Sequence, residues 1–227
     1  MKNFLKNPFF LLFLFLSIDV LIILLHLIFP QMTVFHLDYE SNLPTVYQGS
    51  KLIFCATVSL LILCLIYLKK GTLKREWFWA LLSAMTFFLG IDEMGQLHEN
   101  VPTYMKEIIG KGAIQYESSI VELGYTSTTW LPYYIGPFIL LTFVVAYFIV
   151  RFTKEKILNI WMLGVGWGFF LLTIGVEYVN TMPHIMFQEG YNTYVIIEES
   201  FEMFGATFIL AFALAVLIEK IASFRKV

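Results

Sequence analysis

Charge is scarce in this chain: 14% of its 227 residues are Asp, Glu, Lys or Arg, and the formal net charge is -2. No run of Lys or Arg stands away from the flanks of apolar segments, so the basic footprint that nucleic acid requires is missing and that class of partner is excluded. Cysteine is nearly absent. Cys55 and Cys64 lie nine residues apart in one apolar stretch, which on a helix sets them on opposite faces, so neither a disulfide nor a thiolate metal site is expected. No internal repeat and no low-complexity segment is present. What the chain has in excess is apolar surface, 59% of residues with a mean hydropathy of +0.75, which marks an integral membrane protein. A membrane-crossing helix takes about 20 apolar residues, so this length holds six or seven at most and leaves no room for a separate soluble domain.

Six apolar runs are legible, at residues 8–29, 52–68, 77–97, 131–150, 160–179 and 195–218. They predict an all-α polytopic fold in which a single domain, residues 1–227, forms one bundle of six transmembrane helices. The first run follows Lys2 and Lys6 as a signal sequence would. It has no small-x-small cleavage site, however, and is expected to stay as an anchor. Six crossings place both termini on one side. That side carries Lys2, Lys6, Lys69, Lys70, Lys74, Arg75, Arg151, Lys154, Lys156, Lys220, Arg225 and Lys226, whereas the other carries Lys51, Lys106 and Lys111. Positive residues favour the cytoplasm, so both termini are expected there, in the plasma membrane of a cell. The outward connections are then about residues 30–50, 100–129 and 180–194. Within the longest, Tyr104 to Leu123 mixes apolar and charged residues, which suits either an interfacial helix or a plain solvated loop. Gly164 and Gly168 form a small-xxx-small pair suited to close helix packing. Trp77, Trp79, Trp130, Tyr133 and Tyr134 stand at span ends, as an interfacial aromatic belt does.

The informative residues are the acids. Ionisable groups at membrane depth are costly and usually mark a site or a pathway. Asp92, Glu93, His98 and Glu99 end the third run, Glu177 ends the fifth, Glu198, Glu199 and Glu202 open the sixth, and Asp19 and His26 sit in the first. Counting about 20 residues from each inner boundary at about 1.5 Å per residue puts His26, Asp92, Glu93, Glu177 and Glu202 about one turn inside the outer boundary. All four histidines, at 26, 36, 98 and 184, fall in the outer half or the outer loops. Helical spacing places Glu198 and Glu202 on one stripe, with Glu199 also neighbouring Glu202. Carboxylates gathered in a poorly solvated layer need compensation, and metal ions, protons or a cationic substrate could supply it.

The leading expectation is a metal-binding membrane enzyme acting on a lipid or other membrane-soluble substrate. Glu93, Glu177 and Glu202 would be its central ligands, with Asp92, His26, His98, Glu198 and Glu199 as further ligands or their neighbours. Oxygen and imidazole donors suit a mono- or dinuclear centre of Fe, Zn or Mn. The alternative is a proton or cation transporter or channel using the same acids, with Asp19 near the midplane and His26 seven residues on forming its inward continuation. Asp19 and His26 would share one helix face.

Known site patterns largely fail to match. Glu93 and His98 are five apart, unlike the Glu-x-x-His of ferritin-like bundles, and Pro102 stands where a zincin would place its second histidine. The Glu198-Glu199 pair lacks the arginine of CAAX-processing proteases, since position 203 is Met. Four scattered histidines supply neither the boxes of membrane desaturases nor the spacing of alkaline ceramidases. The segments Asp92-Glu93-x4-His98-Glu99 and Glu198-Glu199-x2-Glu202-Met203-x-Gly205 resemble those of a group of uncharacterised bacterial multipass membrane proteins. That resemblance implies a bacterial membrane location and a site at these acids, and it carries no activity.

Overall fold

The computed structural model describes residues 7–37, 42–72, 76–95, 97, 131–154, 159–180 and 191–224. Six α-helices run through them: α1 Pro8–Ile28, α2 Leu43–Lys70, α3 Trp77–Gly95, α4 Leu131–Lys154, α5 Ile160–Asn180 and α6 Tyr191–Phe224. Five of them, all but α3, contain segments long and apolar enough to cross a membrane, so this is a multipass membrane protein. Helix α3 is 19 residues long and carries Asp92 and Glu93 in its last turn, which lowers its apolarity.

Local chemistry sets the helix ends. Asn7 caps α1 by accepting from the Phe9 amide, with Pro8 in the first turn, where a missing N–H costs nothing. Asn42 caps α2 in the same way through the Thr45 amide at 3.2 Å, again with a proline in the first turn. Its side-chain nitrogen also donates to the carbonyls of Thr33 and His36, which folds the α1–α2 connection, with its 3-10 turn Thr33–Phe35, back onto the bundle. Gly71 ends α2 at φ 65°, a left-handed conformation that glycine adopts without a Cβ penalty.

Helix α6 is the axis of the packing. It lies against α1, α2 and α5, while α2 also packs on α3 and α4 packs on α5. Ile209, Leu210, Ala211, Phe212 and Ala213 are successive and all buried, as expected of a helix surrounded on every side. Toward the α3 N-terminus the interior is aromatic: Phe78 and Trp79 meet Phe148 and Phe152 of α4, and Trp79 stacks on Phe212 at 5.7 Å. Trp79 is therefore a core residue and not part of an interfacial belt. Trp77 is 45% exposed, as a belt residue would be. The side chains of Trp130, Tyr133 and Tyr134 lie outside the described residues.

Two glycine crossings bring the helices together near the acidic segments. A Cβ on Gly90 of α3 would meet the Gly49 carbonyl of α2 at 2.9 Å, and one on Gly166 of α5 would meet the Gly205 carbonyl of α6 at 2.9 Å. Only glycine permits backbones this close. The expected Gly164 and Gly168 pair does not make the contact: Gly164 has ordinary room beside Ile149, and nothing lies within 4 Å of a Cβ on Gly168. Gly166, between them in sequence and on a different face, is the residue that does.

The apolar run at 52–68 understates its helix, since α2 begins at Leu43 and thereby takes Lys51 into its third turn and into the bundle. Helix α6 likewise extends beyond residues 195–218 at both ends. The connection 100–129 and its Tyr104 to Leu123 portion lie outside the described residues.

Candidate metal centre

Three carboxylates from two helices converge. Glu93 at the end of α3 and Glu199 and Glu202 in the third and fourth turns of α6 each offer one oxygen, and these atoms all lie within 4.8 Å of one another. All three residues are half-buried. Their approach follows from helix geometry, because Glu199 and Glu202 are three residues apart on one face, and from the Gly49–Gly90 crossing, which holds α3 close to α2 one turn before Glu93. Oxygens at this spacing can close on one divalent ion with metal–oxygen distances of about 2.1–2.3 Å after small side-chain rotations.

A fourth polar group reaches the cluster from α2. Gln48 is buried at 2% exposure, and its side-chain nitrogen donates to Glu202 Oε2 at 3.4 Å. Its Oε1 is buried with no hydrogen-bond partner. Buried acceptors are almost always satisfied, so this oxygen, on an amide that contacts Glu202, is an exception.

Glu177, expected as a central ligand, lies outside the converging trio and instead forms a side-chain hydrogen bond with Glu198. The rotation of α6 turns Glu198 toward Glu177 of α5 and Glu199 toward Glu93 of α3. Glu198 remains within electrostatic reach of Glu199 and Glu202, so the two pairs of acids are neighbours. Two carboxyls in contact need a proton or a cation between them. Asp92 is buried in α3 beside Glu93 in sequence. His26 is buried in α1, where Nδ1 accepts from the Leu37 amide at 3.3 Å and the ring meets His36 edge-on at 4.9 Å between centroids. That nitrogen anchors the α1–α2 connection. His98, Glu99 and His184 lie outside the described residues.

The larger surprise is the charge in the bundle interior. Lys51, counted among the outward-side cations on sequence grounds, is 3% exposed and donates to Asp19 Oδ1 at 2.6 Å, to the Met203 carbonyl at 2.9 Å and to Thr207 Oγ1 at 3.1 Å. Thr207 in turn donates to Asp19 Oδ2 at 2.7 Å, and the Lys51 ammonium lies 4.5 Å from the centre of the Tyr47 ring. Asp19 is fully buried, with both oxygens engaged. The pair ties α1, α2 and α6 together one turn from Gln48, and Lys51 stays within electrostatic reach of Glu93. Asp19, expected with His26 on the inward continuation of a pathway, is bonded here to Lys51 and Thr207. Its signal was in the sequence: Gln48 and Lys51 are three residues apart, hence on one face of any helix that includes them.

No curated protein and no solved structure matches the chain. A family model matches residues 10–216, so the protein belongs to the family described as Domain of unknown function (DUF8692).

Proposed function

We propose that the protein is a metal-dependent membrane enzyme whose ion is held by Glu93, Glu199 and Glu202, and that it acts on a lipid or other membrane-soluble substrate. The carrying observation is the convergence of three carboxylate oxygens within 4.8 Å beside the orphaned, buried oxygen of Gln48. In this reading α3 completes a bundle of six crossings. Both termini face the cytoplasm of a bacterial cell, since with Lys51 taken inward only Lys106 and Lys111 remain on the far side. Fe, Zn and Mn are the candidate ions, and any of them could activate water or polarise a substrate carbonyl or phosphoryl oxygen. Asp92, Glu177 and Glu198 would then act from the margin of the centre, holding protons or a second ion.

Transport of protons or cations through the same acids is the competing reading. It needs an acid on the inward side to receive the ion. Asp19 stands there with both oxygens committed to Lys51 and Thr207, and a fixed ammonium within reach of Glu93 opposes onward passage of a cation. These features favour a retained ion over a translocated one.

Elemental analysis of the detergent-purified chain tests the proposal. The wild type is expected to carry about one or two equivalents of Fe, Zn or Mn, and the Glu93→Gln/Glu202→Gln variant to carry none. Equal, near-zero metal in both after growth in metal-replete medium would overturn it.

A further inference from the structure

We propose that Gln48 is itself a ligand, its side-chain carbonyl oxygen joining Glu93, Glu199 and Glu202 to form a four-oxygen site for a hard divalent cation. This rests on the reading of the carboxylate trio as a metal centre, and it adds a residue that none of the acidic motifs contains. The amide head of Gln48 is already at the site, because its nitrogen contacts Glu202 Oε2. The two amide atoms share one carbon, so the unpartnered Oε1 belongs to the same amide head that contacts Glu202, and a side-chain rotation can turn it toward the acids. A cation could bind the amide oxygen and the three carboxylates at once, which a single hydrogen-bond donor could not.

The backbone makes this arm of α2 a fixed element. Gly49, the next residue, is packed against Gly90, three residues before Glu93, so the Gln48 Cα cannot drift from Glu93 without opening that crossing. One turn along the same face, Lys51 is anchored on Asp19, Thr207 and the Met203 carbonyl, the last one residue beyond Glu202. Gln48 is thus held in register with α3 on one side and α6 on the other. The donor set this assembles from described residues contains oxygen only, and a neutral amide oxygen beside carboxylates is a common combination for Mn2+, Mg2+ and Ca2+.

Mn2+ added to the metal-stripped, detergent-purified chain tests the assignment, with bound ion read from loss of the free-ion electron paramagnetic resonance signal. Wild type binds Mn2+, Glu93→Gln/Glu202→Gln does not, and Gln48→Leu weakens the dissociation constant at least about tenfold. Gln48→Glu separates a ligand from a mere orienting donor. A carboxylate ligand at 48 matches or tightens Mn2+ binding, whereas loss of a needed N–H to Glu202 weakens it. Where that variant fails to fold, glutamine carbonyl 13C labelling gives the same distinction: Mn2+ lowers a glutamine amide stretching frequency in wild type and leaves Gln48→Leu unchanged. Mn2+ binding that depends on Glu93 and Glu202 yet is the same in Gln48→Leu sinks the Gln48 assignment alone. Absence of Mn2+ binding in wild type sinks the metal centre with it.

Discussion

Lys51→Met is expected to be the most damaging single substitution in the interior, lowering stability by about 3–5 kcal/mol, because it leaves the Asp19 carboxylate buried without its cation. Methionine matches the shape of the lysine stem, so the loss is electrostatic and not a cavity. Thr207 still donates to Oδ2 but cannot balance a charge. The double variant Asp19→Asn/Lys51→Met removes both charges, and most of the lost stability should return, since an uncharged pair no longer carries the desolvation cost of two ions. Thermal unfolding of the two single variants and the double in one detergent measures the coupling. If the double variant is as unstable as Lys51→Met, the ion pair is not the source of the loss. The same double variant is the fair test of transport through Asp19, because Asp19→Asn alone would strand Lys51.

Gly166→Val should follow, with a loss of about 1–3 kcal/mol or more. Its Cβ would stand 2.7 Å from Ile209 Cγ1, 2.9 Å from the Gly205 carbonyl and 3.0 Å from the Ile209 amide. The first of these can rotate away; the other two are backbone, so α5 must move off α6. The neighbouring glycines supply the control. Gly168→Ala meets nothing within 4 Å and Gly164→Ala meets only Ile149 Cδ1 at 3.8 Å, so both should unfold at the wild-type temperature or slightly above it, given alanine's better helix propensity. Equal tolerance of Gly166→Val would mean that the α5–α6 crossing yields more easily than its geometry indicates.

These two cases mark where sequence reasoning stops. A membrane location, the all-helical class and the concentration of acids near one end of several helices are all legible in order of residues, because apolar run length and helical spacing act within one segment. The start of α2 was not. Thr45, Gln48, Ser50 and Lys51 interrupt its apolarity, and hydropathy scores each by its cost in lipid without seeing a partner. Lys51 is bearable there only because Asp19 comes from another helix, 32 residues away in sequence. The position of Cys55 and Cys64, one buried and one exposed, was readable because both sit on α2 and phase alone decides it.

Sequence by itself determined which residues share a face of each apolar run, so it placed Glu199 with Glu202, whereas Gln48 and Lys51 shared a face only once the structure extended α2 to Leu43. Only the tertiary structure decided how each helix is rotated about its axis, and therefore that Glu199 and Glu202 meet Glu93 and that Lys51 meets Asp19. That rotation is set by contacts between helices, above all the backbone approach of Gly49 to Gly90 and of Gly166 to Gly205. A glycine's value at such a crossing depends on the surface opposite it, and that surface belongs to another part of the chain.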